Sequence, residues 1–297
     1  MQPVREGVGR TVDEATVNIS RPNSDPAGDL PVLMYHSIGS GASRAFRRWQ
    51  VERHLFAEQL TALREAGYRL VGMSEALADL GTTGSPGRTV AVTFDDAFRD
   101  FADAAEVLRA AGATATLYVP TAHVGGRASW LAGYQEADLR TLDWPELVEL
   151  AGAGTGVEIG SHGHAHAELD VLPADRMRAD VQTSRTMLSE RLGVPVYSFC
   201  YPFGYHTTQV RAAVAAAGFT SACEVGYRVQ RTADDRFAIG RLIVTGDTRP
   251  ERMAGLVRDG QNGIGVGLRR RTRTAWRACR TARHRVTRRG ASKEVAA

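Results

Sequence analysis

Thr89-Val90-Ala91-Val92-Thr93-Phe94-Asp95-Asp96 is the stretch whose reading decides the fold. Val90, Val92 and Phe94 are strand formers with apolar neighbours, and Gly87-Arg88 supplies a turn before them, so the run reads as a buried parallel strand. Two carboxylates leave its C-terminal end side by side. Adjacent acids repel, which raises the cost of ionising both unless a cation or a proton lies between them. A metal ion would remove that cost; the plain alternative is an acid pair that caps a helix from Phe98 onward. Two other stretches that end in histidine, 32–36 and 157–166, are placed to reach the same rim.

Outward from this strand, strand-like runs recur at 31–35, 69–73, 114–119, 156–160, 196–201, 219–225 and 239–244. Amphipathic segments fall between them at 52–66, 98–111, 143–151, 174–192, 208–217 and 249–257. Ala66-Gly67, Ala111-Gly112 and Ala217-Gly218 carry the signature of a left-handed helix cap. Such alternation predicts parallel strands with helices outside. Residues distant in sequence converge on one rim in a closed barrel, but only at a switch point in an open doubly wound sheet. No GxGxxG or P-loop follows a strand, which argues against a nucleotide cofactor. The predicted fold is therefore α/β, an irregular (β/α) barrel of about seven parallel strands, in one domain over 30–258.

A chain of 297 residues with 43% apolar content buries a full core without a second domain. Residues 1–29, with Pro22, Asn23, Pro26 and Gly28 among polar neighbours, read as a flexible arm. Residues 1–20 hold Glu6, Asp13 and Glu14 and no apolar centre, unlike a secretory signal. No stretch approaches the roughly 20 apolar residues of a membrane helix. With Cys200, Cys223 and Cys279 in no CxxC spacing, the expectation is free thiols and a cytoplasmic protein. The end of the chain, 259–297, is a basic tail: 268–290 holds ten arginines and no acid. Residues 1–267 carry 26 basic against 32 acidic groups, net −6, so the overall +4 belongs to the tail. Trp276 and the spaced arginines suit a basic helix on an anionic membrane surface or other polyanion, or simply a solvated end.

His162 and His166 in Ser161-His162-Gly163-His164-Ala165-His166 face one side if the segment begins a helical turn, and neutral imidazoles are common metal ligands. Surface histidine pairs are as common, and His164 would point elsewhere, toward solvent or substrate. Trp130 and Tyr134, in the long loop between His123 and Asp143, suit stacking on sugar faces or a small local core.

Val92-Thr93-Phe94-Asp95-Asp96-Ala97, Ile159-Gly160-Ser161-His162-Gly163-His164-Ala165-His166 and Phe199-Cys200-Tyr201-Pro202-Phe203-Gly204, in that order, resemble the motifs of the polysaccharide deacetylases with the NodB-type fold, carbohydrate esterase family 4. The resemblance covers about 30–257. It implies hydrolysis of the N-acetyl group of an N-acetylhexosamine in a glycan or glycoconjugate, with release of acetate. An O-acetyl ester or another amide is the rival substrate, and a glycan-binding homologue of weak activity the rival role. By position, Asp95 would be the catalytic base, and Asp96, His162 and His166 would hold one divalent metal. Zinc leads, while two histidines and a carboxylate also admit iron, cobalt or nickel. Three protein ligands leave room for a water and the substrate carbonyl.

A departing amide nitrogen needs a proton from a separate acid. Leu33-Met34-Tyr35-His36-Ser37-Ile38 resembles the first strand of the poly-N-acetylglucosamine deacetylase branch, whose permuted order takes the acid histidine from the start of the chain. Thr245-Gly246-Asp247, after the last strand, lacks the histidine of the unpermuted order. His36 is thus the candidate acid, unless it only bonds a neighbouring loop. Tyr201, Pro202 and Phe203 would form one wall, with the Tyr201 amide facing the oxyanion, unless the Pro-x-Gly merely shapes a bend. Three departures stand out. Ala97 replaces a glycine, tolerable if its φ is below zero. Gly163 replaces a Ser or Thr and removes a hydroxyl. Cys200 stands where an arginine usually orients the base, and Arg241, leaving a late strand, is the candidate substitute.

Overall fold

The computed structural model describes residues 29–83, 87–136, 138–231, 234–261 and 276, 278, 280 and 281. The predicted N-terminal arm, Asp29 excepted, and most of the arginine-rich end, Cys279 included, lie outside the described residues. The strands of the main sheet are β1 Val32–Tyr35, β2 Arg69–Val71, β3 Thr89–Phe94, β4 Ala115–Val119, β5 Val157–Ser161, β6 Ser198–Cys200, β7 Ser221–Glu224, β8 Ile239–Gly240 and β9 Leu242–Ile243. All pair in parallel, in the order β8-β7-β6-β5-β4-β3-β1-β9. β8 and β9 are the two ends of that path, yet only Arg241 separates them in the chain. The sheet therefore curls until the chain leaves one edge and joins the other, and the barrel is nearly closed.

Nine strands replace the expected seven for two reasons. The run 239–244 breaks at Arg241 into two short strands with different partners. β2 pairs only with the first half of β3, Arg69 opposite Thr89 to Val71 opposite Ala91, and β4 takes the second half of that edge, Thr93 opposite Thr116.

Helices α1 Arg53–Glu65, α2 Met73–Thr83, α3 Phe101–Ala110, α4 Trp144–Leu150, α5 Ala174–Leu192, α6 Thr208–Ala216 and α7 Pro250–Asp259 accompany the sheet. All but α2 match the amphipathic segments to within three residues. Gly67, Gly112 and Gly218 sit at φ 85°, 60° and 96°, as left-handed caps require. α2 was not anticipated, although Met73, Ala76, Leu77 and Leu80 have helical spacing. No described helix is long and apolar enough to cross a membrane.

Strand alternation sorts the core into two layers. Leu33, Tyr35, Val90, Val92, Phe94, Leu117, Ile159, Phe199, Tyr201 and Leu242 pack in the large cluster with the helices. Their neighbours Val32, Ala91, Tyr118, Cys200, Cys223 and Ile239 form a second cluster, the barrel interior, which α2 joins through Met73, Ala76, Leu77 and Leu80. Thr93, Asp95 and Arg241 fall in the inward register. The position of the polar residues is thus a consequence of which apolar residues face the helices.

The interior is tight enough to exclude a methyl group. A Cβ on Gly160 would lie 2.5 Å from Tyr118 Cδ1 and 3.0 Å from the Ser198 carbonyl oxygen, and Tyr118 is pinned by its hydroxyl to Ser198 Oγ at 2.7 Å. Gly160→Ala is expected to lose about 1–3 kcal/mol in urea denaturation. Gly133→Ala, with nothing within 4 Å of the added carbon, should stay within about 0.5 kcal/mol of wild type or rise slightly above it.

Candidate active site

At the C-terminal rim, alternation turns Asp95 inward, where Arg241 meets it. Arg241 Nη1 donates to Asp95 Oδ1 and Nη2 to Oδ2, each at 2.7 Å. Nη1 also donates to Thr93 Oγ1 at 3.1 Å, Nε to the Glu224 carbonyl at 3.3 Å, and Nη2 lies 3.0 Å from Cys200 Sγ. Arg241 is 0% exposed. Burial alone would push the Asp95 carboxyl up, but the guanidinium overrides it and holds the group well below the usual carboxylate range. Burial pushes the Cys200 thiol up against the pull of Arg241, so it stays protonated. Cys200 and Cys223 are both buried free thiols.

Asp96 escapes the alternation because its φ is 73°. Its Oδ1 lies 3.5 Å from His162 Nε2 and 3.1 Å from His166 Nε2, and the three residues offer ligand atoms within 4.8 Å of one another. His162 Nδ1–H donates to the Cys200 carbonyl at 2.9 Å, which leaves Nε2 with its lone pair. Burial drives His162 down to about 4 against the pull of Asp95, so its imidazole is neutral. Asp96 Oδ1 is buried and accepts no hydrogen bond. A buried carboxylate oxygen facing two imidazole nitrogens, with no proton donated to it, is a donor set that fits a cation. Asp95, His162 and Cys200 form a second such group. It fits poorly, because Asp95 is already neutralised by Arg241 and Cys200 is a thiol.

The histidines converge by a route other than the expected helical turn. Residues 162–166 are a loop, with Gly163 at φ 75° and His166 at φ 50°. Asp180 on α5 steadies it, Oδ1 accepting from the His164 amide at 2.8 Å and Oδ2 from the Ala165 amide at 2.9 Å. A Cβ on Gly163 would sit 2.8 Å from Asp180 Oδ1, so the carboxylate takes over the work of the missing hydroxyl. Asp180 was not singled out from the sequence, although a carboxylate among Met177, Val181, Ser184 and Leu188 on one buried face marks a polar group with a partner. His164 Nδ1 meets Thr121 Oγ1 at 2.9 Å, away from Asp96.

Two further expectations are corrected. Ala97 is not below zero in φ but at 49°, because the chain must turn sharply to aim Asp96. The Tyr201 amide cannot face an oxyanion: it donates to the Cys223 carbonyl at 3.1 Å, and the side chain points into the helix layer, its hydroxyl on the Phe237 carbonyl at 2.9 Å. Tyr201 and Pro202 are buried, so of the predicted wall only Phe203, 45% exposed, is open to solvent; its ring is 4.8 Å from His166. Trp130 also stacks on His166, at 4.6 Å, whereas Tyr134 packs against Phe46. His36 packs on Trp49 at 4.8 Å, and burial lowers its pKa although Asp95 and Asp96 oppose the fall.

The electrostatics give a signed expectation. A carboxyl held low in the fold adds stability above its unfolded pKa of about 3.9, and that contribution is lost as pH falls through the folded value. Arg241→Met strands the Asp95 carboxylate and should cost about 3–5 kcal/mol at neutral pH, with the deficit shrinking toward about pH 4 as the carboxyl takes up a proton. Urea titrations at the two pH values check this; equal deficits would refute it. For Ala97, the left-handed cost of about 1–2 kcal/mol is nearly balanced in Ala97→Gly by glycine's entropy and a lost buried methyl. That variant should stay within about 1 kcal/mol, while branched Ala97→Val, buried and at positive φ, should lose about 3 kcal/mol or more by the same measurement.

Residues 82–222 match the model of the polysaccharide deacetylase family, a span that holds Asp95, Asp96, His162, His166 and Cys200 but neither His36 nor Arg241. The chain is 24% identical over 228 residues to a Bacillus subtilis (strain 168) protein named as a polysaccharide deacetylase, YxkH, covering 73% of this chain and 75% of that one. Among solved structures, IcaB from Ammonifex degensii is 26% identical with a TM-score of 0.65, over 76% of this chain and 96% of its own. The Streptococcus pyogenes deacetylase PplD, solved with acetate, shares the fold at 21% identity and a TM-score of 0.67, over 78% and 99%. With a near-closed parallel barrel and the motif carboxylates and histidines gathered at one rim, the chain is similar to the polysaccharide deacetylases, whose family model matches its residues 82–222.

Proposed function

We propose that this chain hydrolyses the N-acetyl group of an N-acetylhexosamine in a glycan or glycoconjugate, with one divalent cation held by Asp96, His162 and His166. The observation that carries the reading is the buried Asp96 Oδ1, which accepts no hydrogen bond and faces two imidazole nitrogens. Zinc leads for such a donor set, and iron, cobalt or nickel fit it too. When bound, the cation supplies Lewis acidity toward a carbonyl and acidifies water.

The remaining chemistry belongs to the side chains. Asp95 is the base, and both its oxygens are fixed in plane by Arg241, so it meets a water in one orientation. Its depressed pKa makes it a weak base that takes a proton only from an acidified water. His36 is the acid that protonates the departing nitrogen. Trp130 and Phe203, both packed on His166, bound the approach with apolar surface. The N-acetyl substrate class is supported by the resemblance of 33–38 to the poly-N-acetylglucosamine branch. One observation favours a second reading: the lowered pKa of His36 leaves less of it protonated to serve as an acid, and an O-acetyl ester needs less help to leave than an amide.

Purified protein is expected to hold one equivalent of metal and to release acetate together with free amine from N-acetylglucosamine oligomers. Acetate without amine from acetylated glycans would select the ester. Asp96→Asn should lose the metal, and Asp95→Asn should keep it while turnover drops about 10²–10⁴-fold. Full metal content in Asp96→Asn, or wild-type turnover in Asp95→Asn, would overturn the assignment.

A further inference from the structure

The two histidines beside Asp96 are held differently. His162 has its Nδ1 tied to the Cys200 carbonyl, the outer hydrogen bond that usually orients a ligand histidine. His166 has none: its Nδ1 is buried without a partner, and its backbone sits at φ 50°, a conformation that surrounding structure must impose on a non-glycine residue. Its ring direction therefore depends on packing against Trp130 and Phe203.

Phe203 and the loop backbone that carries His166 both lead to one arginine from the C-terminal end. Arg280, 4% exposed, donates from Nη1 and Nη2 to the two oxygens of Asp170 at 2.8 and 2.7 Å, lies 3.7 Å from Glu168, and stacks flat on the Tyr205 ring at 3.6 Å. Asp170 closes the loop that carries His166. Tyr205 stacks on Phe203, and its hydroxyl accepts from Trp276 Nε1 at 2.9 Å. One guanidinium thus fastens the histidine loop to the aromatic wall by a bidentate ion pair and a cation–π contact at once.

We propose that Arg280 is a positioning residue for His166, replacing by a brace between two loops the hydrogen bond that His166 lacks. This rests on the reading of His166 as a metal ligand. Consequently part of the arginine-rich end completes the site and does not serve as an address for a polyanion.

The test uses the full-length chain and two readouts. Hydrogen exchange of the metal-free protein should quicken in Arg280→Ala over 163–171 and 202–206 and not across the barrel strands. Zinc affinity, measured by competition with a chromophoric chelator, should fall about 10–100-fold. Arg280→Lys, unable to pair bidentately or lie flat, should recover only part, and Asp170→Arg with Arg280→Asp should recover more than either change alone. If Arg280→Ala does not fold, Trp276→Phe, which removes only the bond to Tyr205, should move both readouts the same way by a smaller factor. Wild-type exchange and zinc affinity in Arg280→Ala, or in Trp276→Phe where that variant stands in, would overturn the proposal, as would exchange quickened evenly through the barrel. Failure of the wild type itself to bind zinc would instead sink the reading of the site, while exchange in the metal-free protein would still report on the brace.

Discussion

Arg241 and Asp95 form a bidentate pair at the barrel rim, with Arg241 fully buried and Asp95 nearly so. Isolating either charge there would cost several kcal/mol, so neither is tolerable without the other. Arg241 is also the single residue between the two end strands of the sheet. Closure of the barrel and orientation of the carboxylate are therefore one event: the chain can reach β9 only by passing its guanidinium across the interior to Asp95. A thiol at position 200 leaves room for that crossing, with Sγ 3.0 Å from Nη2, where a second arginine would crowd the same space and add an unpaired charge.

The rest of the rim follows from alternation and from the places where alternation fails. Asp95 and Arg241 face inward because Phe94, Tyr201 and Leu242 face the helices. Asp96, Ala97, His166 and Phe203 are four of the six described non-glycine residues at positive φ. Strain is thus concentrated on the rim, where the chain must depart from strand geometry to gather side chains. Asp180 and the tight interior beneath Gly160 supply the rigidity that keeps these departures fixed.

Much of this was legible in the sequence because it is local. Apolar runs of five to seven residues and glycine caps announced the strands and most helices, and three motifs announced the carboxylates and histidines. Arg241 was legible as a cation in an otherwise apolar late run, a residue that must find a buried partner. What could not be read depends on contacts between distant segments. The Tyr201 amide is lost to the oxyanion because β7 claims it, and nothing near Tyr201 in sequence announces that partner. The histidine loop looked like a helical turn because four-residue spacing suits one, yet Asp180, sixteen residues on, decides otherwise. Arg280 was hidden among nine similar arginines, and its pairing with Asp170, 110 residues away, has no local signature.

The two adjacent carboxylates pose the same electrostatic problem at every level, and the fold resolves it by separating them. Were both side chains turned to one partner, their repulsion would push one pKa up and leave one group protonated. Instead Asp95 keeps strand geometry and is neutralised by a fixed guanidinium, while the left-handed turn at Asp96 carries the second carboxylate round to two imidazole nitrogens. The charge on Asp96 is the one left uncompensated among these groups. A doubly charged cation placed there gains its attraction without competing against Arg241 for the same oxygen atoms, since both Asp95 oxygens are already engaged. The separation of the two carboxylates is thus set by a single backbone angle, and the alanine that follows shares its strain.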